Sequence, residues 1–174
     1  MKKLLIISVL LMGIISQQAK AQKIGYADSE YILSKMPEYK GFQEELAKLT
    51  ANWKKEVQSL FTDVERMYDA LKAEEALLTR EMYDERSAAI KKKEAEAVAY
   101  QDKIFGTDGL YFLKQKELMQ PILAKLGEAI DRVSKKQRLG MLVDKAGLPL
   151  LWTDPRHDYS DFVLEELGIE TIEN

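Results

Sequence analysis

The stretch from Phe42 to Leu71, FQEELAKLTANWKKEVQSLFTDVERMYDAL, decides the architecture. Its apolar side chains fall at Phe42, Leu46, Leu49, Trp53, Val57, Leu60, Val64, Met67 and Leu71, eight steps across 29 residues. That is about 3.6 residues per step, the period of an α-helix with one apolar stripe. A strict heptad would advance by about 3.5 and impose a left-handed supercoil, so the stripe predicts a nearly straight seam. Glu45, Lys48 and Lys55 populate the opposite, solvated face. Neither Gly nor Pro interrupts the chain from Phe42 to Gly106.

Downstream, the seam weakens near Glu74 and Glu75, and Thr79 is placed to cap a new helix, which predicts a reversal around residues 76–80. A second helical run follows to about Arg138. Its early seam is thin (Ala89, Ile90, Ala97, Val98) and thickens through Phe112, Met119, Ile122, Leu126, Ile130 and Val133. An antiparallel hairpin with arms of roughly 35–40 residues would project about 55 Å from whatever holds its base. Two irregularities mark the returning helix. Gly106-Thr107-Asp108-Gly109 sets two poor helix formers opposite Thr50 to Trp53, as a short loop or a flexion point. Pro121 removes one backbone donor.

Upstream, Lys23 to Asp28 reads as a short strand, Asp28 or Ser29 as the cap of a brief helical turn, and Pro37 as the first turn of the long helix. Beyond the hairpin, Met141 to Asp144 and Leu148 to Trp152, separated by Lys145-Ala146-Gly147, read as a β-hairpin, with Pro149 at a strand start or edge. Ser160 is expected to cap a last helix through Leu167, with Gly168 ending it and Ile169 packing back. Three short strands cannot close a barrel and leave edges that invite pairing, so the strands are expected to form a body shared between subunits. The fold class is α+β, predominantly helical: a long antiparallel helical hairpin on a small shared β body.

The first residues point to export. Lys2 and Lys3 precede an apolar run from Leu4 to Ile15, and Ala19-Lys20-Ala21 matches a small-x-small cleavage site. The run is shorter than the roughly 20 residues a membrane-spanning helix needs. Residues 1–21 are expected to be a signal peptide cut after Ala21. Residues 22–174 are then one domain, with a body of residues 22–40 and 120–174 and an arm of residues 41–119. Taking Lys2, Lys3 and Lys20 from 26 basic residues against 29 acidic leaves a net charge of −6. A net-acidic chain lacks the basic bias of a nucleic-acid binder, so no nucleic-acid partner is expected. With no Cys in the sequence, disulfides cannot supply stability.

Reactive chemistry has little to stand on. The one histidine, His157, lies near Asp154, Asp158, Ser160 and Asp161, in spacings that match neither a metal-ligand pattern nor a hydrolytic triad. There is no Cys nucleophile, no phosphate-cradling glycine loop and no G-x-S-x-G elbow. No enzymatic activity, metal or cofactor is expected. The features that remain are surfaces. Phe61 and Tyr68 lie one position beyond the main seam, while Phe105 and Tyr111 flank the glycine pair. All four either widen the seam or contact a client. Lys91, Lys92 and Lys93 form a basic run, either balanced by Glu94 and Glu96 or touching acidic headgroups or lipopolysaccharide. Ile24, Tyr26, Leu142, Val143 and Leu150 are the expected oligomer core.

The order signal peptide, strand, helical hairpin, strands and short helix resembles the Skp/OmpH family over essentially all of residues 22–174. The resemblance rests on Ile24-Gly25-Tyr26, on Met36-Pro37-Glu38-Tyr39-Lys40 at the arm base, and on Glu117-Leu118-Met119-Gln120-Pro121-Ile122 where the arm re-enters the body. Leu142-Val143-Asp144, Asp154-Pro155 and Asp158-Tyr159-Ser160 complete it. It implies a periplasmic homotrimer with a barrel-like body and helical tentacles, holding unfolded outer-membrane β-barrel proteins without ATP. Better-known members carry markedly basic arms. Here residues 40–103 hold 12 basic and 14 acidic residues, so apolar contact must do more of the capture than charge steering. Two other readings compete: a periplasmic coiled-coil spacer or adaptor, and a structural protein that binds lipopolysaccharide through Lys91 to Lys93.

Overall fold

A computed structural model describes residues 22–170; the expected signal peptide and its cleavage site after Ala21 lie outside them. Strand β1 (Lys23–Ala27) leads into helix α1 (Ser29–Lys35). Asp28 starts that helix, its carboxylate accepting the Tyr31 N–H at 2.9 Å. Ile32 and Met36, one turn apart, point inward and are fully buried. Pro37 then opens helix α2 (Pro37–Glu74), where its missing donor is not needed.

The long helix forms over the stretch predicted. Phe42, Leu46, Val64 and Leu71 are buried, Leu49, Trp53, Val57 and Met67 half-buried, and Leu60 exposed. The reversal is a 3₁₀ turn at Glu75–Leu77. Thr79 caps helix α3 (Arg80–Phe105), its hydroxyl accepting from the Met82 N–H at 3.3 Å. The returning seam differs in detail from the sequence reading. Ile90, Ala97 and Ile104 are buried at seven-residue spacing, whereas Ala89, Val98 and Phe112 are exposed. Small Ala97 at that position lets α2 and α3 lie close. Polar ties also cross the hairpin: Arg86 pairs with Glu74, the Tyr100 hydroxyl bonds Glu56, and the Tyr68 hydroxyl donates to Glu94 at 3.0 Å.

Gly106 to Gly109 is a true break, after which helix α4 runs from Leu110 to Gln137. Pro121 lies inside α4 on its exposed side and does not end it. The helix stops at Arg138, whose left-handed backbone (φ 55) turns the chain into strand β2 (Leu139–Asp144).

The expected β-hairpin is not there. β2 pairs with β1, in parallel, with Ile24 opposite Met141, Gly25 opposite Leu142, Tyr26 opposite Val143 and Ala27 opposite Asp144. Parallel partners need a long crossover, and here the whole helical arm serves as one. Leu148 to Trp152 forms no strand. Asp144 accepts the Ala146 N–H at 3.1 Å and the Leu150 N–H folds back on the Leu148 carbonyl at 2.8 Å, so the segment leaves β2 instead of returning along it. Among the described residues there are two strands, not three.

A 3₁₀ turn (Pro155–His157) precedes helix α5 (Ser160–Glu166). Ser160 is the first residue of α5, not its cap; Asp158 accepts both its N–H (2.9 Å) and its hydroxyl (2.6 Å). The helix ends as predicted. Gly168 takes φ +76 and donates to Glu165, Ile169 donates to Leu164, both at 2.9 Å, and Ile169 packs on the core. That core joins α1, the base of the arm and α5 through Ile32, Met36, Leu126, Ala129, Val163 and Leu164.

Candidate client and assembly surfaces

The body surface grows from the two strands. β1 has β2 on one side, and its Tyr26 carbonyl accepts the Tyr159 N–H at 2.8 Å on the other. β2 pairs only with β1 among the described residues, which leaves its outer edge open. Beside the sheet, Ile24, Tyr26, Val143, Leu150, Trp152 and His157 line an open, mainly apolar groove of 630 Å³. Four of the five residues assigned to an oligomer core by sequence thus share one groove. The fifth, Leu142, is half-buried and packs on the chain's own core. Sequence reasoning missed Leu151 and Trp152. They are 102% and 80% exposed, and the segment's assignment to a strand hid them. The signal available was the Leu150-Leu151-Trp152 run directly after Gly147-Leu148-Pro149, whose Gly and Pro break regular structure.

Asp144 fixes where β2 ends. Its carboxylate accepts the Ser29 hydroxyl at 2.7 Å and the N–H groups of Ser29 and Ala146 at 3.1 Å. Burial alone would push this carboxyl up; the hydrogen bonds from Ser29 and Ala146 outweigh it and hold the group below its ordinary value.

On the arm, the four aromatic candidates do not form one patch. Phe61 is half-buried and Tyr68 is 40% exposed, its hydroxyl engaged by Glu94. Nearer the body, the Phe105 and Tyr111 rings lie 6.2 Å apart across the break, and Tyr111 meets Phe112 edge-on at 5.2 Å. Tyr111 also lines a shallow groove of 510 Å³ with Tyr39, Phe42, Leu46 and Thr50. Lys91, Lys92 and Lys93 are all exposed near the tip. Lys93 is drawn to Glu96 at 2.7 Å, which raises the ammonium's pKa and lowers the carboxyl's.

Around His157 the side chains serve the loop. Arg156 grips Asp154 through its guanidinium and its own N–H, holding that carboxyl at about 2, and His157 Nδ1 stands 3.9 Å away. The buried Ser160 hydroxyl donates to Asp158 and accepts the Asp28 N–H at 2.8 Å, so it is spent on joining α5 to β1. Among the described residues no group of three or more His, Cys, Asp or Glu side chains is gathered to hold a metal ion.

Comparison with known proteins agrees with this architecture. A solved structure of an OmpH-like protein from Caulobacter crescentus CB15, a candidate outer membrane chaperone, superposes with a TM-score of 0.69. It shares 15% identity, over 88% of this chain and 89% of that one, so the likeness is one of fold. No curated protein matches the sequence. The family model described as Outer membrane protein (OmpH-like) matches residues 23–167, body and arm together, and the chain therefore belongs to the OmpH-like family.

Proposed function

We propose that this chain is an ATP-independent holding chaperone of the periplasm, exported by cleavage after Ala21, that keeps unfolded outer-membrane β-barrel proteins soluble between its helical arms. The observation that carries the reading is the arm itself. Two antiparallel helices leave the body with a seam that is buried only at intervals, and Phe61, Tyr68, Phe105 and Tyr111 retain exposed or half-exposed aromatic surface along it. An unfolded barrel strand alternates apolar and polar side chains and has no closed edge in water. Many weak apolar contacts hold such a chain without fixing it, and release needs no nucleotide.

The arms enclose a space only if several chains meet at the body. The open edge of β2, the apolar groove beside it and the exposed Leu148 to Trp152 segment support a homotrimer built there. An exposed apolar patch of this kind on a small body favours self-association. Contact of Lys91 to Lys93 with acidic lipid is secondary, since Glu96 already neutralises Lys93.

Sedimentation velocity of residues 22–174, alone and with a barrel protein diluted from urea, tests this function. A trimer that shifts to a discrete heavier complex, with the client kept in solution, is the expected result. A monomer, or a trimer beside an aggregating client, would return the protein to the spacer or adaptor reading.

A further inference from the structure

The one histidine stands at the groove proposed above to join the subunits. His157 lines it together with Ile24, Tyr26, Val143, Leu150 and Trp152, and it is the side chain of that lining whose charge changes near neutral pH. The turn that carries it is braced. Asp154 caps the turn, the His157 N–H donates to the Asp154 carbonyl at 2.9 Å, and the Asp158 N–H donates to that of Pro155 at 3.1 Å. Just beyond, the Tyr159 N–H ties the chain to the Tyr26 carbonyl of β1. A short, fixed segment thus presents the imidazole to the groove, with its side chain 47% exposed.

The surroundings give a proton on that ring little compensation. On its own turn the Asp154 carboxylate lies 3.9 Å from Nδ1, but Arg156 already grips it through the guanidinium and the backbone N–H. Asp158, next in the chain, accepts both the N–H and the hydroxyl of Ser160. β1 brings Lys23 and Tyr26 to the groove, and the Lys145 ammonium stands 6.0 Å from the centre of the Tyr26 ring. At the end of β2 the Asp144 carboxylate is spent on Ser29 and Ala146. Cleavage after Ala21 would add the amino group of Gln22, which also lines the groove. Leu150 to Trp152 bring no charge. Among the described residues, then, each of these carboxylates is already bonded, while Lys23 and Lys145, which make no ion pair, are positive.

We propose that His157 makes subunit assembly sensitive to acid: the imidazole is neutral where a second copy covers the groove, and its protonation separates the copies. This rests on the homotrimer proposed above at the same groove. An imidazolium closed into an apolar contact loses its water and gains no free carboxylate. The assembled chain therefore binds the proton less readily than the separate one. Assembly is then strongest above the ordinary imidazole range and is lost as pH falls through it. Carboxylates and the Gln22 amino group titrate largely outside roughly pH 5.5–7, which leaves His157 as the group that changes charge in that window.

Sedimentation velocity of residues 22–174 over a range of concentrations, at about pH 7 and about pH 5.5, tests this. The concentration at which half of the chains are assembled is expected to rise at least about fivefold at the lower pH. An imidazole titrating near about 6.5 supplies up to about eightfold per subunit. His157→Gln should hold the ratio under about twofold, and His157→Lys should assemble weakly at both pH values. The sequence has a single histidine, so its NMR signal gives a second reading on the unaltered protein. The titration midpoint of that signal should lie lower in the assembly than in the same protein in urea. The proposal is overturned if the parent and His157→Gln respond alike to pH, or if the midpoint in the assembly equals or exceeds that in urea. Chains already monomeric near about pH 7 would remove the assembly itself and this inference with it, a result distinct from an assembly that ignores pH.

Discussion

The Tyr159 ring lies against the backbone of Gly25, so close that a Cβ on residue 25 would stand 2.4 Å from two ring carbons. Tyr159 is buried, its N–H bonds the Tyr26 carbonyl, and the Lys23 ammonium sits 5.2 Å from its ring centre. The glycine is what lets the start of α5 close over β1. Gly25→Ala is expected to destabilise the protein by about 1–3 kcal/mol, as overpacking of a fitted site does. Urea unfolding at fixed protein concentration measures it, and a loss of under about 0.5 kcal/mol would show that the ring moves aside freely.

Asp144 supplies a pH dependence with a definite sign. Its folded-state pKa lies below the ordinary value, so its contribution is present at neutral pH and is lost as pH falls through the folded pKa. Asp144→Asn should lower stability at pH 7 and flatten the acid limb of the stability curve in the carboxylate range. Parallel acid limbs for the two proteins would mean that the bonds to Ser29 do not persist in solution.

The exposed run after the strand should matter to assembly before it matters to folding. Leu151→Asp with Trp152→Ser removes two side chains that touch little of their own chain. Helical circular dichroism is expected to be unchanged while the assembly dissociates to monomer, with a cost of about 2–4 kcal/mol if Trp152 is an interface anchor. An intact oligomer by sedimentation would place the subunit contact elsewhere on the body.

On the arm, Phe61→Ala with Tyr68→Ala is expected to keep the oligomer and weaken client binding roughly tenfold, in line with about 0.5–1.5 kcal/mol for each aromatic contact. Light scattering of a diluted barrel protein at graded chaperone concentration reads this directly. Should protection stay constant, the two rings belong to the seam alone, as the Tyr68 bond to Glu94 already makes half-true.

Pro121 should cost stability where it stands. It interrupts the hydrogen-bond ladder of α4 on an exposed side, and nothing buried depends on its ring. Pro121→Ala is expected to raise stability by about 1–3 kcal/mol. A variant no more stable than the parent would show that the fixed backbone of Pro121 offsets the hydrogen bond it removes.

Helix by helix, the arm was legible because its signals are local. Phe42 to Leu71 writes a 3.6-residue period, Thr79 marks its own cap, and Gly168 with Ile169 ends α5 by bonds within a few residues. The surfaces were less legible. Phe112 and Val98 carry the apolar character of seam residues yet face outward, because which side of a returning helix is covered depends on where its partner lies. For Ile24, Tyr26, Val143 and Leu150, shared apolar character was enough to group four residues that do meet in one groove, although Leu150 lies in no strand.

By itself, then, the sequence determined a long helical hairpin, its reversal and the break at Gly106 to Gly109, since each depends on neighbours within a turn or two. Only the tertiary structure decided the sheet. β2 had an adjacent apolar segment to pair with and instead joined β1, more than a hundred residues earlier, in parallel. The arm brings its two ends together, so that partner costs no extra loop closure once the hairpin has formed. Asp144, held by Ser29 at that same junction, turns the following chain away before it can pair.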